Sequence, residues 1–363
     1  MSRLTLVILV AAGILLAHLS VKHLSTSTPL ISRYNLKLHK DYVQWKQEYG
    51  KLYATPNEND WRFKMFAESV ELIEKSNEQY NLHAERTGQV LSGPMYEING
   101  FADLSEEEFV SRYTGLDLSK LQEALEETQN ELAKMPKSTS EISSTKTHEN
   151  ARNLQQLSFE TRTRNQRSCG SCWAFAAVAY AEKEYFLING QQIDFSQQEL
   201  VDCDQNSNGC QGGFPHEALR YMKNKGISKA SSYPYVATAG VCSPSKDKLK
   251  FPSTFVPQTT QFDVDTAVSI ASRNVWMTTY LSGYSAFRYV SKTDDVFDAS
   301  ANQECSINSN HAVTIIDGKD GVVTILNSWG TEWGVQGVKR VKPCNKNNIL
   351  GVPSSISHAH LAF

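Results

Sequence analysis

Cysteine is missing from the first 168 residues of this 363-residue chain; all seven cysteines, at 169, 172, 203, 210, 242, 305 and 344, fall in the remainder. No basic stripe is present, and a net charge of −3 gives none of the electrostatic footprint that nucleic-acid binding requires. A large acidic block is equally absent. There is no second C-x-x-C beside Cys169 and Cys172 and no histidine pair near them, which disfavours a zinc site, since zinc wants about four ligands. No long-period repeat points to a solenoid, and no Asn-x-Ser/Thr glycosylation site occurs.

What is present begins at the N-terminus. Arg3 precedes an apolar run from Leu4 to about Leu19, the pattern of a secretory signal over residues 1–20, with a signal anchor as the alternative. Either one delivers the rest of the chain to an oxidising compartment. Seven cysteines there imply three disulfides and one thiol left over.

Residues 36–86 carry a helical pattern in which Trp61, Met65, Val70, Ile73 and Tyr80 share roughly one face, with Asn57 or Asn59 as a candidate cap. "MYEINGFADLSEEEF" reads as a short strand followed by a helix, with Ser105 and Glu108 forming a capping box. Leu118, Leu121, Leu125, Leu132 and Met135 mark an amphipathic helix ended by Pro136. The polar stretch after it reads as an exposed linker open to proteolysis. Beyond it, "CWAFAAVAYAEKEYFLI" is an apolar helix candidate, and "VWMTTYL", "HAVTIIDG", "GVVTILNSWG" and "GVKRVKP" read as strands. Helices followed by strands predict an α+β enzyme with two lobes.

The C-x-x-C pair admits three readings: zinc, a redox couple, or two thiols with separate tasks. A thioredoxin-like couple belongs near a βαβ pattern, whereas this pair opens a helix in a helical region. A nucleophile at Cys172 would gain from the helix N-terminus, which favours a thiolate. It needs a histidine and a group to orient it. His311 heads a strand, and Asn327 follows in "LNSWG".

"QRSCGSCWAF", "HAV" and "NSWGTEWG", with "FSQQELVDC", "GCQGG" and "YPY", resemble the papain-like cysteine proteases, the cathepsin L type in particular. His311 and Asn327 lie 139 and 155 residues beyond Cys172. The resemblance extends upstream to the inhibitory propeptide of that family through Glu58, Arg62, Phe66, Ile73 and Asn77, then Asn99, Phe101 and Asp103, with Ser69 and Glu97 departing from its pattern. It implies a papain-like two-lobe fold, with a helical left lobe, a β-barrel-like right lobe and a cleft between them, preceded by a mainly helical propeptide domain. The implied division is 37–116 propeptide, 117–155 helical or flexible activation linker and 156–363 peptidase.

The same resemblance assigns Cys172 as nucleophile, His311 as general base and then acid, Asn327 as its orienting partner and Trp329 as a shield. Gln166 joins the Cys172 N–H in the oxyanion hole, worth about 3–4 kcal/mol per donor in such sites. It pairs Cys169–Cys210, Cys203–Cys242 and Cys305–Cys344. Substrate would contact Gly212 and Gly213, and Phe214, Pro215, Thr278, Ala312 and Ser355 would line an apolar pocket for the residue two before the scissile bond (S2). The short loop between Cys203 and Cys210 has no room for the occluding loop of cathepsin B, so endopeptidase action is expected. His216 reads as a helix-start residue. Asp103 is a candidate for acid activation.

No cofactor or metal is called for. Expected partners are protein and peptide substrates, the chain's own propeptide and cystatin-type inhibitors, acting on a monomer in the secretory pathway, lysosomal, vacuolar or extracellular. One family feature is missing: residues 153–165 read "NLQQLSFETRTRN", without the Pro-x-x-x-Asp-Trp-Arg and Val-Thr-Pro segments usual before the glutamine. A catalytically silent papain-fold binding or inhibitory protein is the competing reading.

Overall fold

A computed structural model describes residues 36–120, 123–124, 126–127, 129–130, 159–252, 255, 257–261, 264–283, 285–301, 309–343, 348–349, 352–353 and 355–359. The signal at 1–20, most of the activation linker, and both Cys305 and Cys344 lie outside the described residues. The chain divides into two compact units, Met1–Val70 and Glu71–Phe363.

In the first unit, helix α1 covers 36–48 and ends at a turn in which Gly50 takes φ 60°. The single helical stretch expected over 36–86 is therefore broken there. Helix α2, Pro56–Thr87, starts afresh with proline in its first turn, where a missing N–H costs nothing. Its cap is Thr55, whose Oγ1 accepts from Glu58 N at 3.2 Å, and not Asn57 or Asn59. Asn59 instead accepts from Lys46 Nζ at 2.6 Å and from the Tyr42 hydroxyl. Tyr42, Trp45 and Phe66 form a buried aromatic core, with Trp45 and Phe66 ring centroids 5.2 Å apart. Arg62 lies 3.9 Å from Glu58 one turn away.

The division between the two compact units falls inside α2, because residues 71–116 bury aromatic side chains among the downstream elements. The Tyr80 hydroxyl donates to Val296 O at 2.9 Å and accepts from Asp298 N at 2.7 Å. Asn77 holds Tyr96 by both its N–H and its C=O, and Tyr96 makes a β-bridge to Val290. Helix α3, Glu106–Tyr113, carries the expected capping box: Ser105 Oγ accepts from Glu108 N and Glu108 Oε2 accepts from Ser105 N, both at 3.1 Å.

The helical lobe is built on α4, Cys172–Asn189, ended by Gly190 at φ 67°. Its first fifteen residues are almost all buried, because it is packed on more than one side, by α5 (Gln197–Cys203), α6 (Pro215–Lys225) and the sheet. Disulfides Cys169–Cys210 and Cys203–Cys242 tie the loops around it, and among the described residues Cys172 is the free thiol.

The second lobe contains strand β1 (Pro257–Gln261), helix α7 (Val264–Ala271), β2 (Met277–Leu281), β3 (Phe297–Asp298), β4 (His311–Lys319), β5 (Val322–Leu326), β6 (Val338–Lys342), the short pair β7 (Asn348–Ile349) and β8 (Val352–Pro353), and β9 (Ser355–Ala359). The main sheet runs β1-β9-β2-β4-β5-β6-β3, antiparallel except for the β3–β6 pair. Runs such as "HAVTII" alternate little because both faces are covered, by α4 and by α7. Among the described residues no helix is long and apolar enough to cross a membrane.

Candidate active site

Cys172 is the first residue of α4, and Ser171 before it makes no side-chain cap. The N–H groups of Cys172 and Trp173 are thus left for another acceptor, here the sulfur. His311 opens β4 opposite Leu281 of β2, and Asn327 follows the end of β5. Antiparallel pairing of β4 with β5 brings these two together: His311 Nε2 lies 2.8 Å from Asn327 Oδ1. An amide oxygen accepts only, so Nε2 carries the proton; among the described residues His311 Nδ1 has no hydrogen-bond partner. Trp329 stacks on the imidazole at 4.4 Å between centroids and donates its indole N–H to Tyr113 O at 2.9 Å.

Gln166 is fully buried and tied at both ends. Its backbone N donates to Ser328 O at 2.8 Å, its Oε1 accepts from Ser328 Oγ at 2.6 Å, and its Nε2 donates to Cys169 O at 2.9 Å. Two supports escaped the sequence reading. Ser328 fixes the amide of Gln166, and the Tyr235 hydroxyl bonds both Gln166 O and Ser171 Oγ at 2.7 Å. "YPY" marks the second of these only as a recurring block, with no hint of its reach.

The upstream segment lies across this site. Gly115 and Leu116 N–H groups both donate to Asn310 O at 3.0 Å, Gly213 N donates to Gly115 O at 2.9 Å, and Asp117 N donates to Gly213 O at 2.9 Å. Leu116 and Gly213 form a parallel bridge. A Cβ on Gly115 would stand 2.1 Å from Gly170 O, so only glycine permits this approach. Phe101 and Phe109 pack edge-on against Trp329, and Asn99 Nδ2 donates to Arg288 O at 2.7 Å. Asp103 is buried in the same region.

Cys172 belongs to a buried apolar cluster with Ala176, Phe214, Tyr280, Ala312 and, from the upstream segment, Ala124, against which Leu116 and Leu118 pack. Phe214 and Ala312 thus fall beside the thiol. Pro215 is buried at the start of α6, Gly212 holds φ 125°, and Ser355 opens β9. Thr278 pairs with Thr314 and Ser357. Tyr280 stands opposite Ala312. Residues two apart share a face of a strand, so Thr278 and Tyr280 lie on the same face of β2.

Burial dominates the electrostatics of both reacting groups. It pushes the Cys172 thiol up to about 12, against the N–H groups of Ala312, Trp173 and Cys172 that favour a thiolate. It pushes His311 down to about 4, against the hydrogen bond to Asn327. In this covered state both groups are neutral around pH 7.

A buried free thiol at a helix start, next to the backbone of the residue after a histidine held by an asparagine, and covered by the chain's own upstream segment, fits the class of cysteine peptidases made as zymogens. Residues 147–359 match the papain family cysteine protease domain and residues 42–109 the cathepsin propeptide inhibitor domain. The chain belongs to the papain family of cysteine proteases. It is 31% identical over 331 residues to the senescence-specific cysteine protease SAG12 of Arabidopsis thaliana, covering 89% of this chain and 90% of that protein. Cathepsin L 2 of Paramecium tetraurelia is 29% identical over 318 residues, covering 86% and 90%. Among solved structures, the proform of the Amb a 11 cysteine protease, a major ragweed pollen allergen, superposes with a TM-score of 0.66 at 26% identity, covering 89% of this chain and 94% of that one. The fold is papain-like α+β, and the protein is a cysteine-type peptidase whose propeptide acts as an intramolecular inhibitor.

Proposed function

We propose that the mature protein is an endopeptidase of the secretory pathway acting through Cys172. The supporting observation is the arrangement of His311, whose Nε2 is committed to Asn327 while Nδ1 is left for the thiol. Removal of the upstream segment rehydrates the cleft and lets the proton pass from Sγ to Nδ1. The thiolate attacks the peptide carbonyl carbon, and the oxyanion is met by the Cys172 N–H and by Gln166 Nε2 after it leaves Cys169 O. Nδ1–H protonates the departing amine, leaving a thioester. Water then gives a proton to Nδ1, attacks the thioester and releases the acid with the thiol restored.

Phe214, Tyr280 and Ala312 make the S2 wall apolar, so a hydrophobic residue is preferred two before the scissile bond. The domain reading is a signal at 1–20, inhibitory propeptide at 37–116, linker at 117–155 and peptidase at 156–363. The test is acid activation of the full-length chain followed by a Phe-Arg fluorogenic peptide and an epoxide probe. Cleavage and labelling confined to Cys172 are expected; a Cys172→Ser variant with full activity overturns the reading.

A further inference from the structure

Beside Phe214, the first two turns of α6 present two cationic or ionisable groups to one carboxylate. His216 is buried, and its ring lies 6.4 Å from that of Phe214 between centroids. Its Nε2 is 3.5 Å from Glu127 Oε2, and Arg220 Nη1 donates to the same oxygen at 2.8 Å. Arg220 is itself held from behind: Nη2 donates to Oε2 of the buried Glu217 at 2.5 Å. The guanidinium is therefore fixed in orientation, one arm anchored and the other pointed at its ligand. Glu127 is held well down, to about 2, first by His216 and then by Arg220 against the effect of burial.

Glu127 lies in none of the matched domains, since it falls between residues 109 and 147. It stands one helical turn after Ala124, the residue seated in the Cys172 cluster. One short segment thus places a methyl group in the apolar pocket and a carboxylate on His216 and Arg220. When it leaves, the apolar pocket is vacated together with a half-satisfied guanidinium.

We propose that His216 and Arg220 form a carboxylate-binding subsite of the cleft, occupied by Glu127 in the zymogen and by an acidic substrate side chain after activation. The second half of this statement rests on the proteolytic reading above; the first half does not. Glu217 stays on Arg220 Nη2 throughout, so the incoming carboxylate replaces Glu127 on Nη1 and His216 Nε2 only.

Two measurements test it. In the full-length chain, Glu127→Gln raises the rate of Cys172 alkylation by iodoacetamide roughly fivefold, while Glu123→Gln, an exposed neighbour paired with Lys120, leaves it at the wild-type rate. Equal rates for Glu127→Gln and wild type overturn the zymogen clamp whether or not the protein cleaves anything. In the activated enzyme, peptide pairs differing only by Glu or Gln at two, three or four residues before the scissile bond are compared by kcat/KM. Glu is favoured roughly fivefold at one of these positions, through KM, and added salt erodes the preference. In Arg220→Gln the Glu/Gln ratio falls to one, and the ratio is internal to each variant; Glu217→Gln with Arg220→Gln removes the buried charge should the single variant not fold. A ratio of one at every position in the wild type overturns the substrate subsite, and failure to cleave any peptide overturns the proteolytic reading instead.

Discussion

His311 Nε2 stands 2.8 Å from Asn327 Oδ1, and that oxygen also accepts from Ser328 N at 2.7 Å. The amide is thereby pinned with its oxygen toward the imidazole, and the ring is held through Nε2, which leaves Nδ1 uncommitted among the described residues. Asn327→Ala removes the acceptor and leaves a buried N–H without a partner, which costs about 1–3 kcal/mol. The expected outcome is a fall of about ten- to a hundredfold in kcat with little change in KM. Steady-state kinetics check it, and an unchanged kcat would show that the contact is dispensable.

Acid weakens the covered state through His311. Its value of about 4 lies below the ordinary 6.5, so the neutral ring favours burial. That contribution is complete above pH 6.5 and is lost as pH falls through 4, amounting to about 3 kcal/mol. Cys172, raised to about 12, stays protonated throughout this window and adds no slope. Glu127, near 2, stays charged and keeps its grip. In full-length Cys172→Ser, protease sensitivity of residues 115–130 should rise between pH 6.5 and 4. His311→Gln on that background should flatten the profile; an equally steep profile counts against the mechanism.

Gly115→Ala pushes a methyl group into the Gly170 carbonyl, a backbone atom that cannot swing aside. The expected cost is about 1–3 kcal/mol, as for other overpacked sites. The variant should activate faster and show a lower Tm for the zymogen, while the mature enzyme, freed of the proposed 37–116 propeptide, should keep wild-type kinetics. Calorimetry with an activation time course checks both.

Tyr280 and Phe214 ring centroids are 5.4 Å apart, filling the apolar wall beside Ala312. Tyr280→Val should open this wall and shift preference two before the scissile bond toward bulkier side chains. Because added or lost methylenes in such a pocket are worth about 1–3 kcal/mol, the ratio of kcat/KM for Phe over Val at that position should rise about tenfold. Thr278→Val, outside the cluster, should leave the ratio unchanged.

Much of the site was legible in sequence because catalysis fixes residue types locally. A thiol at a helix start, an asparagine beside an indole and a glycine pair are each written in a few consecutive letters. The capping box at Ser105 and Glu108 was equally local. The chain also determined the order of helical and strand-rich parts, since their apolar periods differ. What it did not determine was depth and register. Whether Thr278 or Tyr280 meets Ala312 depends on how β2 slides against β4, and both residues share a face. That α2 breaks from α1 at Gly50, that Tyr235 supports Gln166, and that Glu127 reaches Arg220 93 residues away follow from packing between distant segments. Burial governs the charge states as well: it favours the neutral forms of the same cysteine and histidine that sequence marks as a reactive pair, because it removes the water that would sustain their charges.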